Sequence, residues 1–159
     1  MNIIDNLTKH NLKLPELTTP GGSYVSVNTR ENIAYVAIQF PIRNDKCFYQ
    51  GRLGNELNTE DGYKAMELCA LNVLAQVHAK VGFENVVGLN HIDAYYQSSK
   101  NWDDSPIVVN GASDLFVNIL ENKGVHSRAI FGVVHLPRNF CVGLTCTFTI
   151  KNNDPELIN

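Results

Sequence analysis

No stretch of this chain approaches the roughly 20 consecutive apolar residues that a membrane-spanning helix requires, so a transmembrane helix is excluded. No run of lysine and arginine occurs either. The 13 basic residues are scattered among 16 acidic ones, and the formal net charge is -3. That balance gives no electrostatic reason to expect a nucleic-acid or anionic-membrane partner. The four cysteines (Cys47, Cys69, Cys141 and Cys146) form no C-x-x-C pair, and the step from Cys141 to Cys146 matches no zinc knuckle. On one strand those two would face opposite sides. They read as reduced thiols used as small core residues, which suits a reducing compartment. Phosphate-binding glycine loops, the G-x-S-x-G elbow and the H-E-x-x-H zinc helix are all missing. No cofactor and no metal are therefore expected. The segment MNIIDNLTKHNLKLP mixes charges and lacks a signal-peptide apolar run, so a cytoplasmic location is expected.

What the chain does have is an ordinary globular composition. Hydrophobic residues make up 44% and charged residues 18% of its 159 positions, enough for one domain with a real core. The Thr-Thr-Pro-Gly-Gly run at 18–22 is the one strong early breaker. It divides an N-terminal extension (1–20), with a brief helix at 2–10, from a core (21–150) and a tail (151–159).

Residues 23–28 and 32–39 alternate around Thr29-Arg30-Glu31 and predict a β-hairpin, with a third short strand near 47–52. The spacing of Tyr63, Met66, Ala70, Val73, Leu74, Val77 and Val81 predicts a helix over 59–81, capped by Asn58 or Thr59 and ended at Gly82. A strand at 86–95 follows. A second helix spans 106–123, with Ser105 as cap, Pro106 at its first position and Gly124 at its end. Strands at 126–134 and 140–150 complete the chain. In the last one Phe140, Val142, Leu144, Cys146, Phe148 and Ile150 make one face. Cys141, Gly143, Thr145, Thr147 and Thr149 make a small, polar second face. The order ββ(β)-α-β-α-ββ argues for an α+β fold: one mostly antiparallel or mixed sheet carrying two long helices on one face. The other face is left open, and oligomerisation can cover it.

Among candidate chemical groups, Arg128 stands out, because it enters a strand that continues through Ile130 and Phe131. An arginine there needs a partner. It is either a strand-end or interface arginine, or a guanidinium fork that holds a carboxylate. His91 and Asp93 alternate on one strand face and read as solvated residues. Asp103 and Asp104 precede a helix and suit its dipole. Asn110, on the second helix, is expected to make a specific hydrogen bond.

Four stretches carry a wider resemblance: Tyr24-Val25 before the hairpin, Gln39-Phe40-Pro41 after its second strand, Val109-Asn110 in the second helix, and Ser127-Arg128 followed by Leu136-Pro137. In this order, over about residues 20–150, the chain resembles the RidA (YjgF) family. LCALNVLAQ (68–76) and NGASDLF (110–116) are similar to a longer-chain branch of it. The resemblance implies a chorismate-mutase-like fold and a homotrimer whose three sheets face inward as a barrel, with clefts between subunits. It implies hydrolysis of reactive 2-imino or enamino acids to 2-oxo acids and ammonia. By the same resemblance Arg128 binds the substrate carboxylate, Tyr24 and Asn110 lie at the cleft, and the backbone around Ile130 contributes hydrogen bonds. Two departures stand out. Typical members read Ser-Gly-Gln where this chain has Ala37-Ile38-Gln39, which removes a hydroxyl and puts bulky Ile38 in the cleft. They carry V-E-V-E where it has Val142-Gly143-Leu144-Thr145. The first glutamate is the group expected to position or activate water, and its loss typically removes on the order of 10²–10⁴-fold in rate. Thr145 can orient water but cannot act as a base at neutral pH. Two expectations follow from this pattern: a weak or altered imine deaminase, or a non-catalytic binder of small 2-oxo or amino acids. Ribonuclease action, which occurs in some relatives, is disfavoured by the acidic charge.

Overall fold

The computed structural model describes residues 2–152, so most of the tail expected at 151–159 lies outside the described residues. The strong 59–81 pattern forms α2, Thr59–Lys80. Its start is set by a reciprocal capping box. The Asn58 side chain accepts from the Asp61 amide, and the Asp61 carboxylate accepts from the Asn58 amide. Ahead of it, α1 (Ile3–Lys9) begins at Asn2, whose side chain accepts from Asp5 N–H. This helix is docked rather than frayed: Leu7 is buried, and Asn6 Nδ2 donates to Ile119 O at 2.9 Å.

The strands are β1 (Val27–Arg30), β2 (Ile33–Gln39), β3 (Ile42–Arg43), β4 (Lys46–Cys47), β5 (Val86–Tyr96), β6 (Ser127–Gly132) and β7 (Val142–Ile150). The main sheet has the order β1-β2-β7-β5-β6, and β3-β4 is a separate small hairpin. Only the β5–β6 pair is parallel, so the sheet is mixed, as the element order predicted. The helix α3, Ser105–Leu120, lies beside α2 on one face of this sheet. The fold class expected from the sequence is thus the one observed. Within one chain the sheet is open, not closed into a barrel.

Several predicted boundaries are corrected. The first strand pairs only from Val27, and the hairpin turns at Glu31-Asn32 rather than at 29–31, because Glu31 takes a left-handed φ of 51°. Of the strand expected near 47–52, only Cys47 lies in one, at the end of β4. Instead, Asn44 and Asp45 adopt φ 51° and 62° and close the tiny β3-β4 hairpin, while Gln50 makes a single bridge to Phe140. Asp104, not Ser105, stands at the N-cap of α3, without a side-chain cap bond. That helix ends at Leu120 and continues as a 3-10 turn over Glu121–Gly124.

The core lies between the helices and one sheet face. Val142, Leu144, Cys146, Phe148 and Ile150 are all buried there, as their alternation predicted. Cys69 and Cys141 are also buried, whereas Cys47 is half-exposed in the small hairpin and is not a core residue. Burial pushes the Cys69 and Cys146 thiols well up and the Cys141 thiol up to about 12, so these stay protonated and inert. No helix among the described residues is long and apolar enough to cross a membrane.

The crossing of α2 and α3 is close because of Gly111. A Cβ at that position would run into the Tyr63 carbonyl and come within 3.2 Å of Glu67 N. The contact fixes the height of α3 and so positions Asn110 and Ser113 on its sheet-facing side. Gly111→Ala is expected to lower stability by about 1–3 kcal/mol through overpacking, although alanine is the better helix former. Denaturant unfolding checks this, and an unchanged midpoint contradicts it.

Candidate functional site

Two groups of the sequence-singled residues assemble, and they do so at opposite edges of the sheet. The first centres on Arg128 of β6. In the parallel register Arg128 pairs with Ile92, a fully buried core-face residue, so its side chain emerges on the helix-covered side. There Nη1 donates to Asn110 Oδ1 at 2.8 Å and to Ser113 Oγ at 3.1 Å, and Nη2 donates to Pro106 O at 3.4 Å. All three acceptors are neutral and belong to α3. The ion pairs among the described residues are Lys64–Glu60 and His91–Asp93, so the half-buried guanidinium has no carboxylate partner there. Its Nε has no hydrogen-bond partner among these residues either. Ile130, two residues on, packs against the core from the same side. Its strand is the sheet edge, so one flank of the backbone around it is not used by the sheet.

The second group is a cleft of about 420 Å³ on the β1–β2 flank. Tyr24, Ser26, Ala37, Ile38, Phe40, Phe140 and Arg138 line it. Its polar floor is held from below: Gln76 Nε2 donates to Thr18 O, Thr18 Oγ1 donates to Gln39 Oε1, and Gln39 Nε2 donates to Ala37 O. The turn at its rim is clamped by Gln97, a fully buried side chain. Gln97 Nε2 donates to Gly51 O and Asn139 Oδ1, and its Oε1 accepts from Leu136 N–H. Tyr24 is half-exposed at the mouth, where its hydroxyl accepts from Gly21 N–H at 3.1 Å.

Ile38 and Gly143 meet here. The β2–β7 register slips between Val36 and Gln39, a bulge that re-aims the intervening residues. A Cβ built at Gly143 would lie 2.8 Å from Ile38 Cδ1 and 3.0 Å from Phe40 Cε1. The isoleucine thus occupies the space over the glycine, and any longer side chain there displaces it. Thr145, the next residue on that face, stands opposite Asp93 and is half-exposed on the open sheet face.

The two groups do not form one pocket within a chain. Strands β7 and β5 separate β2 from β6, which places Ile38 and Arg128 about 14 Å apart at the strand spacing alone. They also emerge on opposite faces of the sheet. The open face between them carries Tyr35, Thr147, His91 and Ser127 in one cross-strand row, with Tyr95 stacked on Phe131. His91 and Asp93 are half-exposed but not simply solvated. The imidazole bridges Ser127 Oγ at 2.7 Å and Asp93 Oδ1 at 3.0 Å.

With the geometry in view, kinship can be read. Residues 5–149 match the family described as "YjgF/chorismate mutase-like, putative endoribonuclease". The chain belongs to this family. It is 30% identical over 149 residues to Protein TCP17 of Trypanosoma cruzi, covering 92% of this chain and 93% of that one. A crystal structure from Shewanella oneidensis, described as a "putative endoribonuclease", superposes with a TM-score of 0.92 at 26% identity, covering 94% of this chain and 99% of that one. Atu1372 of Agrobacterium tumefaciens, of unknown function, gives 0.87 at 29% identity, with 94% and 92% covered.

In this YjgF-family chain, sequence reasoning missed Ser113, which accepts from Arg128 Nη1, and His126, which bonds Ser113 in turn. The signal was present. Asn110 and Ser113 are one helical turn apart, and His126 and Arg128 lie two residues apart on one strand side. The Ile38–Gly143 contact yields the test for this site. Gly143→Glu alone is expected to destabilise the protein by about 1–3 kcal/mol through overpacking. Combined with Ile38→Gly, the two changes are expected to couple favourably by more than about 0.5 kcal/mol. Strict additivity in the unfolding cycle contradicts the packing described.

Proposed function

We propose that this YjgF-family protein binds small 2-oxo or 2-imino carboxylates through Arg128, in clefts completed by a second copy of the chain. The observation that carries this reading is a half-buried guanidinium held by three neutral oxygens, with no carboxylate in reach among the described residues. Such a group has a positive charge to neutralise and a free donor edge. A carboxylate satisfies both through bidentate hydrogen bonds. On this reading Asn110 holds the arginine, the β6 edge near Ile130 supplies backbone hydrogen bonds, and Tyr24, Ile38 and Thr145 belong to the facing wall of the cleft.

The separation of the two half-sites supports assembly as a homotrimer. An arrangement that sets the β6 edge of one copy against the β1–β2 flank of the next unites Arg128 with Tyr24 and Ile38. It also covers the open sheet face, whose threonines and aromatic pairs are otherwise left to solvent. Light scattering is expected to give a mass near three times 17.7 kDa, and a stable monomer at micromolar concentration contradicts the assembly.

The Ile38–Gly143 contact favours binding, or at most slow imine hydrolysis, over ordinary deamination. The position that carries a water-activating glutamate in typical relatives is Gly143 here, and the Ile38 side chain lies over it. Loss of such a group typically lowers the rate on the order of 10²–10⁴-fold. Coupling the protein to a threonine dehydratase and following 2-oxobutanoate release separates the two activities. RNA cleavage is not part of the proposal, since a net charge of -3 gives no attraction for phosphate backbones. A cytoplasmic setting is consistent with such a substrate.

The binding claim is checked by titration calorimetry with 2-oxobutanoate. Arg128→Ala is expected to weaken binding at least about 30-fold, the loss typical when one partner of a buried charge pair is removed. Arg128→Lys is not expected to restore it, because an ammonium cannot reproduce the planar fork. Equal affinity in wild type and both variants refutes the assignment.

A further inference from the structure

We infer that His126 and Ser113 are positioning residues that aim the Arg128 guanidinium. This rests on the reading of Arg128 as a carboxylate fork. His126 Nδ1 lies 2.6 Å from Gly124 O. A carbonyl oxygen only accepts, so Nδ1 carries a proton and donates. In the neutral imidazole with its proton on Nδ1, Nε2 is an acceptor. Ser113 Oγ, 2.9 Å from Nε2, must donate its single hydrogen there. That fixes the rotor and turns the hydroxyl lone pairs toward Arg128 Nη1, 3.1 Å away.

Every bond in the chain then runs one way: Arg128 Nη1 to Ser113, Ser113 to His126, His126 to the Gly124 carbonyl. Asn110 Oδ1 takes the other Nη1 hydrogen at 2.8 Å. With both Nη1 hydrogens and one Nη2 hydrogen tied to α3, Nε–H and the second Nη2 hydrogen are the donors left for a ligand. Those are the donors a carboxylate grips. Without His126 the Ser113 hydroxyl is free to turn to the carbonyl four residues earlier in its own helix, as helical serines commonly do. Its hold on the arginine then loses direction. His126 is also set by packing. Its ring meets Phe116 edge-on, with centroids 6.2 Å apart and an interplanar angle of 81°.

The test uses the full chain and two readouts, one of which needs no ligand. Guanidinium nitrogen resonances of Arg128 are identified by their disappearance in Arg128→Ala. In wild type the Nη1 protons are expected to be resolved, because their hydrogen bonds slow rotation about Cζ–Nη1. Ser113→Ala removes the middle hydroxyl, and His126→Phe keeps the ring against Phe116 but removes both nitrogens. In each, the Nη1 signals are expected to merge, and the Kd for 2-oxobutanoate to rise about three- to tenfold, the range of one neutral hydrogen bond. His126→Gln, whose Oε1 can accept from Ser113, is expected to keep the signals resolved and the Kd within about twofold of wild type. Resolved Nη1 signals in Ser113→Ala, or a Kd there within twofold of wild type, overturns the inference. Ser113→Ala decides the matter even if His126→Phe fails to fold. Absence of any 2-oxobutanoate binding in wild type instead removes the carboxylate reading, and the ligand-free spectra still test the relay.

Discussion

A guanidinium that is half-buried, hydrogen-bonded and yet without a counter-charge among the described residues is the constraint around which this molecule is arranged. Taking a cation partly out of water is unfavourable unless dipoles or an anion replace the lost hydration. Here α3 supplies dipoles: the amide oxygen of Asn110, the hydroxyl of Ser113 and the carbonyl of Pro106. They are enough to hold Arg128 in place, but they leave its charge uncancelled. The close helix crossing at Gly111, the polar pair on the sheet-facing side of α3 and the parallel edge strand β6 all serve to present that residue at a rim of the sheet.

The opposite rim is built on different physics. Its cleft is walled by Tyr24, Ile38, Phe40 and Phe140, over a floor in which Thr18 links the Gln76 and Gln39 side chains. Ile38 and Gly143 behave as one unit there: a large side chain on β2 fills the volume that a residue on β7 gives up. Reading either departure from the family pattern alone suggests a lost catalytic group. Together they describe a site repacked as an apolar wall.

Much of the architecture was legible in the sequence because it is written in local periodicity. The stripe on α2, the cap at Asn58 (one of the two residues expected there) and the two-sided alternation of β7 each depend on neighbours within a few residues, and each appears where it was expected. What was not legible depends on backbone conformations that propensity does not encode. Glu31, Asn44 and Asp45 take left-handed φ values, which moved the first hairpin turn and replaced a predicted strand with the small β3-β4 hairpin. Arg128 and Asn110 were singled out from sequence, and their direct bond is observed. Ser113 and His126 were passed over, because their importance lies in the direction of hydrogen bonds between a helix and a strand. Nor could the sequence say that Tyr24 and Arg128 sit on opposite rims. That fact comes from strand order, set by the long-range pairing of β7 between β2 and β5.

Opposite rims cannot meet within one chain, so the account stands on the claim that two copies complete each site. Mixing two defective forms measures this most directly. Arg128→Ala lacks the fork, and Ala37→Trp fills the facing cleft, so neither is expected to bind 2-oxobutanoate alone. When the two are unfolded together and refolded as mixed assemblies, some interfaces join an intact Arg128 to an intact cleft. Random pairing restores roughly a quarter of the sites. Recovery near that fraction is the predicted result. No recovery, in assemblies shown to be mixed, would contradict a site shared between copies.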